Sequence, residues 1–483
     1  MMSSGFAFFA TRIAVGILGF AAVAVFSRIV SPDAYGHYAL VMAAAAAINA
    51  CGFSWMGLFV LRKCGGDAAE RDAWLSTVVT AFLVVACGVL VVLGAVVAFH
   101  PGMNGIDYVL YLPVIAILIS WFDLSIQMSR ARLKGSVFAA KSFAKALFGL
   151  ALGSAFVLIG WTQEGLLLGT SLGFLLVTAI WLRSDLKGIT LRWPARERIG
   201  LLLSFGGPLM LSLMVGWALD FADRFLIYWF IGEAAAGAYA MAYDLAKQPI
   251  MLVASAASLV TLPMASRAYD GAGPRAARPI MARNLTILLL VCLPLVLMEV
   301  ISAHGIVGLL LGEAYRETGA AIMPIVALSV FISILRIYHF DLSLHLTKRT
   351  GYILKLTMLT AALNVGANLL LIPRFGVIGA AYGSLAAQLG WVVAAAILMP
   401  RAGVLAVPVK DLLKVTAAAL LFAAGLEIAA WESDLLLVQI ASAGSLYLLA
   451  LALLNPANLM GQVRSGLARL RHPRSRHEQL EQA

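Results

Sequence analysis

Apolar runs of about 20 residues recur along the whole chain, the length that carries a helix across about 30 Å of hydrocarbon. Nothing else in the sequence restricts the fold as much. In lipid every backbone N–H and C=O must be satisfied within the protein, so runs of this length are expected to form a bundle of helices. The composition agrees, with 62% hydrophobic and 12% charged residues in 483, against about 25% charged in an ordinary globular chain. The expected class is an all-α polytopic membrane protein with about fourteen transmembrane helices.

A formal charge of +11 would suit a nucleic-acid partner, but the placement of the basic residues points elsewhere, and no nucleic acid is expected. In a reading of fourteen spans, alternate connections hold 28 of the 35 Lys and Arg. These are Arg62 to Asp72, Arg130 to Lys145, Arg183 to Arg198, Pro263 to Arg283, Thr347 to Lys355, Arg401 to Lys414 and the tail after Asn455. The positive-inside rule then puts both termini in the cytoplasm. The first span, Phe6 to Val30, is long for a signal-peptide core and is read as a membrane helix; a cleavable signal ending near Ala24 is the alternative. Cys51, Cys64, Cys87 and Cys292 are scattered without a CxxC pair, so neither a disulfide nor a metal site is expected.

Charges inside the spans are the informative exceptions, because one at the bilayer centre costs at least about 2.5 to 3.5 kcal/mol on insertion scales. Two apolar helices between Leu201 and Leu262, joined by a turn at Ile231 to Ala236, carry five. In a hairpin centred between Glu233 and Ala234, Asp220 lies level with Lys247 and Asp223 with Asp244, and Arg224 sits beside them. Asp220 and Arg224 are four apart and Asp244 and Lys247 three apart, so each helix collects its charges on one face. They either line a transport cavity or pair to pin the two helices together. Arg12, about two turns into the first span, either snorkels to the inner headgroups or contacts an anionic substrate. Arg336 and His339 share a face near mid-depth of the span Ala321 to Leu346, where His339 either relays protons or caps a packed interior. Asp123 comes level with Lys145 and is read as a structural pair. Gly149 and Gly153, then Gly165, Gly169 and Gly173, and later Gly379 and Gly383, have the four-residue spacing of close helix packing.

Several chemistries lack support. Gly169-Thr170-Ser171-Leu172-Gly173 matches GxSxG but lies inside a lipid-length apolar run, without the strand that a nucleophile elbow needs. Neither GxxxxGK[ST] nor HExxH occurs, so no ATP hydrolysis, zincin chemistry, catalytic residue or cofactor is expected. The loop Arg183 to Arg198 divides the chain into residues 1–200 and 201–400, two six-helix lobes, followed by an extra transmembrane pair at 401–455 and a basic tail at 456–483. A short repeat supports the division: Gly36-His37-Tyr38-Ala39 recurs as Gly237-Ala238-Tyr239-Ala240 about 200 residues later. Such symmetry in transporters places the substrate path between the halves.

The chain resembles the polysaccharide-transport branch of the multidrug/oligosaccharidyl-lipid/polysaccharide (MOP) exporter superfamily. The resemblance is carried by Arg28 through Tyr38 (RIVSPDAYGHY), Asp223-Arg224 followed by Gly237-Ala238-Tyr239, Gly312-Glu313-Ala314-Tyr315, and Pro373-Arg374-Phe375-Gly376 running into Gly379-Ala380-Ala381. It implies two six-helix lobes in a V-shaped, MATE-like arrangement, and a monomeric flippase that passes polyprenyl-diphosphate-linked oligosaccharides outward by alternating access. The product would be lipopolysaccharide, O-antigen or exopolysaccharide, the membrane the bacterial cytoplasmic one, and the partners membrane lipids and glycan polymerase or export machinery. Arg12, Arg224, Lys247 and Arg336 are the expected substrate contacts, Arg being suited to bidentate phosphate binding. Asp220, Asp223, Asp244 and His339 are the expected cavity or coupling groups. An ion-coupled drug or cation antiporter of the same fold is the first alternative, kept open by the aspartates. A membrane glycan polymerase or ligase, which would need a long catalytic outer loop, is the second.

Overall fold

In a computed structural model of the chain, residues 2–64, 67–99, 106–191, 193–258, 261–399, 404–433 and 435–458 are described. The side chain of Arg12, the outer turn at 100–105 and the tail 459–483 lie outside the described residues. The apolar runs become helices, and among the described residues thirteen helical stretches are long and apolar enough to cross a membrane. The shorter apolar stretch Ile13–Ile29 belongs to the first helix. The expected class, an all-α polytopic membrane protein, is borne out.

The first nine helices are α1 (Met2–Ile29), α2 (Pro32–Gly52), α3 (Ser54–Lys63), α4 (Ala68–Phe99), α5 (Ile106–Ala131), α6 (Gly135–Leu158), α7 (Gly165–Asp185), α8 (Arg196–Phe230) and α9 (Glu233–Ala257). Next come α10 (Thr261–Ala272), α11 (Pro274–Ile301), α12 (Ala303–Leu310), α13 (Glu313–Leu335), a π-helical turn at Arg336–Phe340, and α14 (Asp341–Leu346). The last four are α15 (Thr350–Phe375), α16 (Val377–Leu398), α17 (Val409–Glu432) and α18 (Leu436–Leu454). They gather into two compact units, one of Met1–Leu252, Val307–Ser329 and Gly351–Met399, the other of Val253–Ile306, Val330–Thr350 and Pro400–Ala483.

In the first unit, local chemistry sets where helices start and stop. Ser31 caps α2 by accepting from the Ala34 amide at 3.4 Å, with Pro32 at the first helical position and Asp33 in the first turn. The span expected from His37 to Leu61 is broken at Phe53, whose backbone leaves the helical region. Its ring instead packs on Phe82 at 4.8 Å, within a core that includes Trp55, Phe59, Trp74 and Trp121. The α8–α9 hairpin turns through Ile231 and Gly232, the latter at φ 129°, about two residues before the expected centre. That φ suits glycine.

Three of the four motifs that carry the resemblance meet in space. Ser27 Oγ accepts from the Gly312 amide at 3.0 Å, and Tyr315 donates its hydroxyl to the Val30 carbonyl at 3.0 Å. The Arg28 guanidinium reaches the Leu309 and Leu310 carbonyls at 2.7 and 3.0 Å, a cation at the C-terminal end of α12. The repeated glycines meet as well. A Cβ on Gly36 would strike the Glu233 carbonyl oxygen, and one on Gly237 would strike that of Pro32. The contact is reciprocal: each glycine abuts the residue four places before its counterpart, as in a two-fold interface. The expected close packing is also present elsewhere, with Gly169 against the Gly153 backbone and Gly379 against that of Leu371.

In the second unit, α17 and α18 pack together and onto α11 through Phe422, Leu426, Tyr447 and Leu297. The Tyr447 hydroxyl donates to the Leu290 carbonyl at 2.6 Å. Asn284 of α11 donates to the Tyr338 carbonyl in the π turn at 2.8 Å and accepts from Thr261 at 2.8 Å. The side chain thereby satisfies a backbone group next to the widened turn.

Candidate functional site

The site forms where α8 and α9 run side by side. Asp220 lies ten residues before the end of α8, about 15 Å at 1.5 Å per residue, within a helix long and apolar enough to span a membrane. Lys247 Nζ donates to Asp220 Oδ1 at 2.6 Å, the pairing that the hairpin register predicts. One turn along, Arg224 donates from a terminal guanidinium nitrogen to Asp244 Oδ1 at 2.7 Å. Asp223 was expected level with Asp244, but two carboxylates repel, and Asp223 turns away. It accepts from the Tyr239 hydroxyl at 2.6 Å and from the Arg224 amide at 2.9 Å, and is buried.

Aromatic rings hold the two cations. The Arg224 guanidinium lies 5.1 Å from the centre of the Phe221 ring, and Lys247 Nζ 5.5 Å from that of Tyr243. Trp217 fixes the same face of α8 by donating its indole N–H to the Ala43 carbonyl of α2 at 2.8 Å. Two further features mark the site. Arg224 is buried, yet its Nε has no hydrogen-bond partner among the described residues. The Lys247–Asp220 pair is open, with 27% and 51% of its two side chains exposed. The arrangement offers a charge ladder of two cations and two accessible carboxylates, able to bind an anion or a hydroxyl-rich ligand.

The other expected site residues are placed as follows. Arg336 and His339 belong to the second unit, both buried in the π turn, with the His339 ring edge-on to Phe340 at 5.2 Å. A π turn is itself frequent at functional positions. The expected Asp123–Lys145 pair does not close among the described residues. Asp123 accepts from Asn49 at 2.7 Å instead, and Lys145 lies over the Phe174 ring at 5.3 Å. Asn49 is the nearer donor, and Lys145 rests against a π face rather than a carboxylate.

Sequence reasoning missed several buried polar groups. Lys141 of α6 donates to Asp185 Oδ1 at 2.6 Å, Ser125 Oγ at 2.6 Å and Ser129 Oγ at 3.0 Å. By sequence it falls in the basic connection Arg130 to Lys145. Asn364 and Asn368, one turn apart on α15, bond each other at 3.3 Å, and Asn364 donates to Ser384 of α16 at 3.3 Å. Their i, i+4 spacing was the available signal. Glu299 is buried in α11, and its Oε2 has no hydrogen-bond partner among the described residues. An acid inside an apolar span was the available signal.

A family model described as "Polysaccharide biosynthesis protein" matches residues 25–320, more than half of the chain. A curated relative, the probable low-salt glycan biosynthesis flippase Agl15 of Haloferax volcanii, is 21% identical over 290 residues, 59% of this chain. The match spans 60% of that relative's length. Among solved structures, lipid II flippase MurJ in its inward closed conformation superposes with a TM-score of 0.75 at 16% identity, covering 94% of this chain and 99% of that one. An inward-facing MATE-family multidrug transporter of the MOP superfamily gives 0.63 at 13% identity, covering 80% and 96%. These two likenesses show the fold, and with the family match they bear out the resemblance to the polysaccharide branch of the MOP superfamily. By its matched segment and by the motifs that meet within it, the chain belongs to the polysaccharide biosynthesis protein family.

Proposed function

We propose that the protein is a flippase that moves polyprenyl-diphosphate-linked oligosaccharide repeat units from the inner to the outer leaflet of a bacterial cytoplasmic membrane, for lipopolysaccharide, O-antigen or exopolysaccharide assembly. One observation carries this reading: a member of this family holds Arg224 and Lys247 at membrane depth, each with a carboxylate partner that is at least one-third exposed or close to it. A sugar diphosphate cannot cross hydrocarbon unaided, so a carrier must give it a cationic, hydrogen-bonding route while the polyprenyl tail stays in lipid. The names of the glycan flippase and of the lipid II flippase support the same class of cargo.

In this proposal Arg12, Arg224, Lys247 and Arg336 contact the head group, and Asp220, Asp223, Asp244 and His339 supply cavity charge or coupling. The halves 1–200 and 201–400 alternate access, and the pair at 401–455 and the tail at 456–483 are additions on the cytoplasmically terminated chain. Outward movement of a doubly charged anion gains about 2.3 kcal/mol per charge per 100 mV with the inside negative, so the membrane potential suffices as a driving force. Deleting the gene should remove surface glycan and accumulate lipid-linked intermediates; unchanged levels of both would reject the proposal. Arg12→Ala and Arg224→Ala should each abolish export with normal amounts of protein in the membrane, and normal export in both would reject their roles.

A further inference from the structure

In both rungs of the α8–α9 ladder, a carboxylate oxygen accepts a short hydrogen bond from the cation. Asp220 Oδ1 is 2.6 Å from Lys247 Nζ, and Asp244 Oδ1 is 2.7 Å from the Arg224 guanidinium. We propose that Asp220 and Asp244 are internal stand-ins for the ligand, neutralising the two cations in the empty carrier and yielding them to the two phosphoryl groups of a diphosphate. This rests on the reading of α8 and α9 as part of the head-group path.

The asymmetry of each pair supports it. In both, the carboxylate is more exposed than the cation, 51% against 27% for Asp220 and Lys247, and 32% against 7% for Asp244 and Arg224. The cations are held in place by the Phe221 and Tyr243 rings, while each carboxylate has this one hydrogen-bond partner among the described residues. In each pair the aspartate is thus the partner more open to solvent, and the cation is the one that also has a ring contact. Asp223 is the contrast: it is 3% exposed and holds two donors, so it stays.

Arg224 also keeps a donor in reserve. Its buried Nε has no hydrogen-bond partner among the described residues, so the guanidinium can pass from a one-point contact with Asp244 to a two-point grip on a phosphoryl group. The rungs are about one helical turn apart, roughly 5.4 Å, which a ligand with two linked phosphoryl groups can bridge and a single phosphate cannot. A ligand that meets both cations competes as one molecule against two separate side chains, the advantage of linked binding. The stand-ins matter when no ligand is bound, because an unpaired cation at this depth is costly.

Binding of inorganic pyrophosphate to the purified full-length protein in nanodiscs, followed by calorimetry with orthophosphate alongside, tests this. Asp244→Asn should tighten pyrophosphate binding about tenfold, the scale of a charge-assisted hydrogen bond. Asp220→Asn should tighten it about threefold, the scale of an exposed pair. Asp223→Asn should bring no gain. If Asp244→Asn is poorly folded, Asp244→Ser, which leaves Arg224 a hydroxyl, gives the same reading. Wild-type binding that neither Asp220 nor Asp244 variants tighten overturns the stand-ins and leaves the head-group site intact. Equal tightening of orthophosphate overturns the two-rung ligand. Failure of wild type and variants alike to bind pyrophosphate removes the head-group reading on which the inference rests.

Discussion

Two lysine–aspartate pairs in the first unit have the same 2.6 Å contact and opposite surroundings. Lys141 and Asp185 are 0% and 4% exposed, and Ser125 and Ser129 take further donors of the ammonium. Lys247 and Asp220 are 27% and 51% exposed, and the lysine also lies over the Tyr243 ring. The first pair ties the neighbouring ends of α5, α6 and α7, where Arg132 also caps the Ser184 and Lys187 carbonyls. It is saturated and has nothing to offer a ligand. The second is unsaturated and open. Distance alone therefore does not separate a clamp from a binding group; solvation and the count of satisfied donors do.

The comparison breaks most easily at Lys141. Lys141→Met leaves Asp185 buried without its cation, and removing one partner of a buried pair costs about 3 to 5 kcal/mol. Thermal unfolding of the detergent-solubilised protein should show that loss, and most of it should return in Lys141→Met/Asp185→Leu, which removes both charges. A tolerated single substitution would mean that the pair is no clamp. A smaller effect is expected at the reciprocal crossing of α2 and α9. Gly36→Ala or Gly237→Ala forces the helices apart at a backbone contact, an overpacking cost of about 1 to 3 kcal/mol. Because the two methyls would press on one crossing, the double variant should cost less than the sum of the singles. Strict additivity in the same unfolding assay would separate the two contacts.

How far the sequence could be read follows from what each feature depends on. Helices were legible because span length is set by the bilayer. The Asp220–Lys247 pair was legible because a hairpin mirrors positions about its turn, and the long lysine stem absorbs an error of about two residues in the centre. Asp223 was misplaced because its partner, Tyr239, is uncharged, and charge pairing alone cannot find a hydroxyl. Lys141 was hidden because basic residues were used to draw the inner boundary, whereas α6 begins at Gly135 and carries Lys141 well inside. The contacts of Ser27 with Gly312 and of Val30 with Tyr315 join residues nearly 300 positions apart, and no local periodicity encodes them.

The smallest expected effect sharpens the comparison most, because it isolates surroundings from chemistry. Asp220→Asn keeps the size and one acceptor oxygen of the side chain and removes only its charge, next to a lysine that is itself part-exposed. Open ion pairs contribute about 0.2 to 1 kcal/mol, because solvent screens the attraction and two flexible side chains must be held in register. Unfolding of Asp220→Asn should therefore stay within about 1 kcal/mol of wild type, several-fold below the cost at Lys141 for the same pair of residue types at the same distance. If Asp220→Asn instead destabilises as much as Lys141→Met, the α8–α9 ladder is a clamp like the first, and its half-exposed carboxylates have no freedom to yield to a ligand.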